Sequence, residues 1–177
     1  VDEVYKSLLD AISAGVLAPG ERITQEDLAE KLNVSRSPVL QALRLLKKDG
    51  LLEEAPGRGL VVTQLDPIRI GHLYQVRGSL DALAARLASV RKAKIPLSLI
   101  EAGRDAAAGH DVNALIEADT AFHKAIYEAS GNPFIIETAM LHWIHLRRVM
   151  GAVHQHQLGR SGIWEEHAAI VKAIHDG

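Results

Sequence analysis

Apolar residues near the start of the chain recur at helical spacing. Val4, Leu8, Leu9 and Ile12 share one helix face, and Gly15 stops the pattern. Leu17 to Ile23, with Pro19-Gly20 inside it, predicts a turn followed by a short extended piece. Thr24-Gln25-Glu26-Asp27 resembles a capping box, with Asp27 in the place of the usual Glu, and opens a short helix burying Leu28 and Leu32. Asn33-Val34 makes a tight turn. Ser35 then caps a further helix, which tolerates Pro38 in its first turn, buries Val39, Ala42, Leu43 and Leu46, and ends at Gly50. Leu51 to Glu54 and Leu60 to Thr63 read as strands on either side of the turn cluster Ala55-Pro56-Gly57-Arg58-Gly59.

Beyond Thr63 the strand signals stop. Asp66-Pro67 caps a long helix carrying Leu73, Val76, Leu80, Leu83, Ala84 and Leu87 on one side, and Ile95-Pro96 breaks it. A shorter helix runs to Gly109. Asp111 caps another, with Val112, Leu115, Ile116, Phe122 and Ile126 inward, closed by Ser130-Gly131. Asn132-Pro133 starts a helix through about His154, Gly159 to Gly162 is a loop, and a last helix covers Ile163 to Ile174. The fold class expected is mainly α. Residues 1–63 form a winged helix-turn-helix with a small β-hairpin, 64–66 a linker, and 67–177 an all-α helical bundle.

Composition narrows the class. The chain has 177 residues, 47% hydrophobic and 24% charged, with no cysteine, so disulfides and thiolate metal sites are excluded. No apolar run approaches the roughly 20 residues of a membrane helix. Val1-Asp2-Glu3 is acidic, unlike a signal peptide, and lacks an initiator Met, as a trimmed sequence does. A cytoplasmic protein with no membrane partner is expected. All nine histidines lie at His72 or later, so imidazole chemistry belongs to the helical half.

Net charge is −2, yet local charge governs docking. Residues 1–63 carry eight Lys/Arg against ten Asp/Glu, but Ser35 to Lys48 holds Arg36, Arg44, Lys47 and Lys48 with no acid. A recognition helix places its N-terminal residues against base edges. There Arg36 can pair with guanine, and Ser35 and Ser37 can donate to phosphates. Arg58, between Gly57 and Gly59 at the hairpin tip, can enter an adjacent minor groove. The plain alternative, strongest for Lys47 and Lys48, is a solvated basic helix face.

The run from Leu28 to Arg44, with Gly50-Leu51-Leu52, Gly57-Arg58-Gly59 and the upstream Ile12, Gly15 and Pro19-Gly20-Glu21-Arg22-Ile23, resembles the GntR family of bacterial regulators. The resemblance implies a DNA-binding set of Ser35, Arg36, Ser37, Gln41, Arg44, Arg58 and Gly59. It departs at Leu40-Gln41, where relatives usually carry Arg-Glu, and Gln41 can read adenine instead.

Val76-Arg77 with Leu80, then Asp119-Thr120-Ala121-Phe122-His123, then Glu166-His167 through Ile174 resemble the FadR-type branch, whose effector domain is called FCD. From spacing alone, Asp119 and His123 project from one apolar helix face, and His167 lies on a stripe with Ile163, Ile170 and Ile174. A buried Asp must be paired or metal-bound. Carboxylate plus imidazoles suits zinc, nickel or a similar divalent ion. The alternative is an Asp–His pair without metal. The resemblance implies that Asp119, His123 and His167 ligate a metal, with one more His from a final helix that this chain, ending at Asp176-Gly177, lacks. It also implies that Arg77 faces the effector pocket. Arg77, Arg147 and Arg148 are the cations that suit a carboxylate effector, the plain alternative being a structural ion pair with Asp or Glu. His142, His145, His154 and His156 read as surface or interface residues, His142 and His145 being near enough to approach the cavity.

These features predict a ligand-responsive transcriptional repressor rather than an enzyme. Its partners are a double-stranded DNA operator, a small carboxylate effector and a second copy of the chain in a homodimer. The rivals are a metal-dependent hydrolase or other metalloenzyme fused to a DNA-binding module, and an architectural DNA-binding protein with a purely structural bundle.

Overall fold

The computed structural model describes residues 1–154 and 160–177. His156 and Gly159, and the side chain of His154, lie outside the described residues. The chain divides into two compact units, Val1–Asp66 and Pro67–Gly177.

In the first unit α1 (Asp2–Ser13) buries Val4, Leu8 and Ile12 against α3. Here α3 is Arg36–Lys48, and it turns Val39, Ala42, Leu43 and Leu46 inward. Between them stand β1 (Arg22–Ile23) and α2 (Gln25–Lys31). Thr24 accepts from the Asp27 backbone N–H at 3.2 Å, which is half of a capping box. The other half is altered: the Thr24 hydroxyl donates to the Asp27 carboxylate at 2.7 Å, because Asp is too short to reach back to the cap N–H. Asn33 takes φ +52 in the turn, a conformation Asn tolerates well.

Then come β2 (Leu52–Glu54) and β3 (Leu60–Val62). All three strands form one antiparallel sheet in the order β1-β3-β2, with Ile23 opposite Leu60 and Leu52 opposite Val62. The extended piece before α2 is thus the hairpin's third strand. Gly59 has φ +95, and a Cβ there would lie 3.2 Å from the Ile23 carbonyl oxygen, so β1 can approach the hairpin only past a glycine.

The second unit comprises α4 (Pro67–Val90), α5 (Ser98–Ala108), α6 (Val112–Ala129), α7 (Pro133–Leu141), α8 (Trp143–His154) and α9 (Arg160–Asp176). Helix α6 starts at Asp111, whose carboxylate accepts from Asn113 and Ala114. It packs against α4, α5, α7 and α8, while α9 closes on α4 and α5. The core is built on Phe122, Tyr127, Leu115, Ile116, Leu146, Trp164 and Ile174. At Gly103 on α5 a Cβ would lie 2.2 Å from the Trp164 ring, so the missing side chain is what lets α9 seat its indole.

Four expectations need correction. The helix after Pro133 is two helices, parted at His142, whose φ of −110 leaves the helical range. Helix α9 begins at Arg160, so residues 160–162 are not loop. Val76 is 51% exposed, while the rest of the expected α4 stripe packs on the core, with Ala84 and Ala88 the fully buried positions of the helix. Ile170 is 39% exposed, and His167 shares its stripe with Trp164, Val171 and Ile174.

Candidate functional site

In the first unit the residues expected to meet DNA are all exposed. Ser35 has the extended backbone of an N-cap (φ −68, ψ 161), but its hydroxyl makes no capping bond. Ser37, Gln41 and Arg44 are exposed along α3. Arg36 is exposed too, with its Nη1 3.3 Å from Glu26 Oε1 on α2, and Gln25 Nε2 donates to the Arg36 carbonyl at 2.7 Å. Lys47 Nζ meets Glu54 Oε1 on β2 at 2.6 Å, which ties the helix to the hairpin. Two of the four positive charges on α3 are therefore already paired. A groove between α3 and the hairpin is lined by Arg22, Gln25, Arg44, Lys47, Arg58 and Gly59 among others. Arg22 is a cation that sequence reasoning passed over. Its signal is its place next to buried Ile23 in a two-residue strand, which puts one side chain out where the other goes in.

In the second unit three helices bring polar side chains to one buried point. One helical turn apart on α6, Asp119 and His123 face the same way, and His167 reaches them from α9. Candidate ligand atoms of the three residues lie within 4.8 Å of one another. His167 Nε2 lies 3.0 Å from Asp119 Oδ1, and its ring stacks on Phe122 at 4.0 Å between centroids. His123 Nε2 lies 3.8 Å from Asp119 Oδ2. From α4, Arg77 Nη2 donates to His123 Nε2 at 2.7 Å and lies 3.9 Å from Asp119 Oδ2. Its guanidinium carbon stands over the Trp143 ring at 5.0 Å.

A second carboxylate, missed in the sequence, completes the cluster. Asp81, also on α4, places Oδ1 3.6 Å from His123 Nδ1 and accepts a short hydrogen bond from the Tyr127 hydroxyl. Arg77 Nε is 3.3 Å from Asp81 Oδ2 but makes no hydrogen bond, so this contact is an ion pair only. The spacing held the signal: 77 and 81 on α4, and 119, 123 and 127 on α6, are successive turns of two facing helices. Burial pushes the Asp119 carboxyl up, but the His167 hydrogen bond, the His123 and His167 imidazoles and Arg77 outweigh it and hold it below the usual carboxylate range. The same balance holds Asp81 low, with His123 and Tyr127 opposing its burial. Burial first, then Asp81, pushes the Tyr127 hydroxyl up.

Among the described residues, the candidate ligand group does not include His142 or His145. Arg77 brings a cation to the cluster. The donor set fits a divalent ion. It combines one carboxylate with two imidazoles, the borderline ligands that zinc and nickel accept. Their candidate ligand atoms all lie within 4.8 Å of one another, near enough to share one ion.

A hairpin-winged helix-turn-helix followed in one chain by a helical unit with a buried ligand-type cluster defines a class, the one-component DNA-binding regulator. Residues 1–62 match the bacterial regulatory proteins of the gntR family, and residues 72–177 match the FCD domain. The chain belongs to the GntR family and carries an FCD domain. An HTH-type transcriptional regulator of Streptomyces ambofaciens is 28% identical over 99% of this chain and 75% of its own length. YdhC of Bacillus subtilis is 28% identical over 97% of this chain and 79% of its own. The solved structure of E. coli McbR/YncC shares the fold, with a TM-score of 0.76 and 24% identity over 98% of this chain and 86% of the other. These relatives are transcriptional regulators, and the protein is a ligand-responsive DNA-binding regulator rather than an enzyme. Among the described residues no helix is long and apolar enough to cross a membrane.

Proposed function

We propose that the protein is a homodimeric repressor that senses a small carboxylate metabolite through a divalent metal ion, zinc or nickel, held by Asp119, His123 and His167. The observation that carries this reading is the meeting of those three side chains with Arg77 at a single buried point. When bound, the ion supplies a Lewis-acid centre for an effector carboxylate. The protein's own groups do the rest. Asp81 and Tyr127 orient His123, Phe122 and Trp164 wall off water around His167, and Arg77 supplies the second positive charge that a carboxylate needs.

On the DNA side, Ser35, Arg36, Ser37, Gln41, Arg44, Arg58 and Gly59 form the reading set, extended by Arg22. Two recognition helices in a dimer suit a palindromic operator with half-sites one helical turn apart. The large apolar side chains left exposed on the helical unit, Ile68, Val76, Phe134 and Leu141, support a second copy of the chain as the partner that covers them. Effector and operator binding are then reciprocally coupled.

Thermal-shift screening of small carboxylates, with and without zinc, tests the reading. Stabilisation that requires both metal and carboxylate, and release from operator DNA by the same pair, is the expected result. Carboxylates that stabilise equally after chelation and in His123→Ala would refute the metal's role.

A further inference from the structure

The strongest unexplained feature of the cluster is the direct bond between its cation and one of the proposed ligands. Arg77 Nη2 donates to His123 Nε2 at 2.7 Å. In that arrangement Nε2 is the acceptor, so the ring proton is on Nδ1, the nitrogen that faces Asp81. An imidazole nitrogen has one in-plane lone pair. It can bond an arginine N–H or a metal ion, but not both. Arg77 also stands 3.9 Å from Asp119 Oδ2 and is almost fully buried, so its charge already offsets the carboxylate that a metal ion would neutralise.

We infer that Arg77 is the resident cation of the metal-free site and must withdraw from His123 Nε2 before a divalent ion can be held there. The inference rests on the proposed metal site. It adds that metal and arginine are alternative partners of one nitrogen, so metal occupancy sets where Arg77 points. Its Nε stays beside Asp81 at 3.3 Å, which gives the guanidinium a pivot. Arg77 also lines a cleft with Leu80, Tyr127, Thr138 and Trp143 that offers about 10 Å³, the room of a single water and too little for a metabolite. Withdrawal of the guanidinium changes the space and charge of that cleft, so effector access becomes conditional on metal loading.

The test measures zinc affinity of the full chain by competition with a chromophoric chelator, for wild type and Arg77→Met, together with a crystal structure of zinc-loaded wild type. The variant removes the competing donor while keeping much of the side chain's bulk. Its zinc affinity should rise roughly tenfold, the scale of one charge-assisted hydrogen bond. In the zinc-loaded structure Arg77 Nη2 should be out of hydrogen-bond reach of His123 Nε2. Equal or weaker zinc binding by a folded Arg77→Met overturns the inference while leaving the metal site standing. A zinc-loaded wild type in which the Arg77–His123 bond persists does the same, and that arm holds even if the variant fails to fold. If neither protein takes up zinc, the metal reading and this inference fall together.

Discussion

Arg36, proposed above as a base-reading residue, is already engaged. Its partner, Glu26, is exposed, and exposed pairs of this kind contribute about 0–1 kcal/mol. DNA therefore needs to displace only a weak contact. Arg36→Ala should cost about 1–3 kcal/mol of operator affinity, the value of one bidentate base contact, and relax specificity at one position. Glu26→Gln should strengthen binding by no more than about 1 kcal/mol, because it frees Arg36 and removes a negative charge facing phosphate. Gel shifts on operator and unrelated DNA distinguish the two effects, and an Arg36→Ala protein with full operator affinity would remove this residue from the reading set. Asp81 can be tested through stability. Its carboxyl is held below its ordinary range in the folded state, so it stabilises above about pH 4 and that stabilisation is lost as pH falls through the folded value. Asp81→Asn should cost about 1 kcal/mol near neutrality, the low end of the scale for disturbing a hydrogen-bonded group, because Asp81 is only partly buried. The gap from wild type should narrow in denaturation series taken below pH 4. A gap independent of pH would show that the carboxylate's charge does not matter. Asp81 escaped the sequence reading because an acid four residues after an Arg on a helix reads equally well as a solvated pair. Only the facing turn of α6 makes it part of a site.

At the scale of elements, what was legible followed the strength of local signals. Helix α3 was legible because its apolar period, Pro in the first turn and terminal Gly agree, and the structure buries the same four side chains. Helix α6 was legible for the same reason, with Asp111 making the capping bonds. The break at His142 was not, since neither Pro nor Gly marks it. Nor was the onset of α9, where Gly162 gave a false loop signal. The pairing of β1 with β3 depends on chain 37 residues or more away, which no local pattern contains. Packing between elements gives a sharper test. Gly103→Ala gains up to about 1 kcal/mol in helix propensity. It also drives a methyl group into the Trp164 ring, and overpacking of this kind costs about 1–3 kcal/mol. A net loss of stability in urea denaturation is expected, and a stabilised Gly103→Ala would mean that α5 and α9 are not in close contact.

Taken as a whole, the molecule joins a DNA-reading unit to a unit with a buried charged cluster. The sequence resemblance gave the family, and spacing together with the resemblance gave the three ligand candidates that converge. It did not give Arg77's bond to His123, which only the assembled helices create. If zinc binds the folded chain and not the unfolded one, thermal stability should rise with zinc concentration, by about 2.7 kcal/mol at a hundred times the dissociation constant. Scanning calorimetry with and without chelator measures it, and a midpoint indifferent to zinc would count against the site. Light scattering of the intact chain should give a dimer mass, and a monomer at high concentration would count against the two-helix operator reading.

The two tryptophans of the chain add one more consequence. Trp143 lies under the Arg77 guanidinium, and Trp164 meets His167 edge-on at 5.0 Å between ring centroids. The DNA-reading unit has none. Tryptophan emission, excited to the red of tyrosine absorption so that Tyr5 of the DNA-reading unit stays silent, therefore comes entirely from the two indoles that border the cluster. Unlabelled protein thus provides its own optical probe of the buried cluster. A change in its tryptophan emission when operator DNA is added would be a signal generated in one unit by an event in the other.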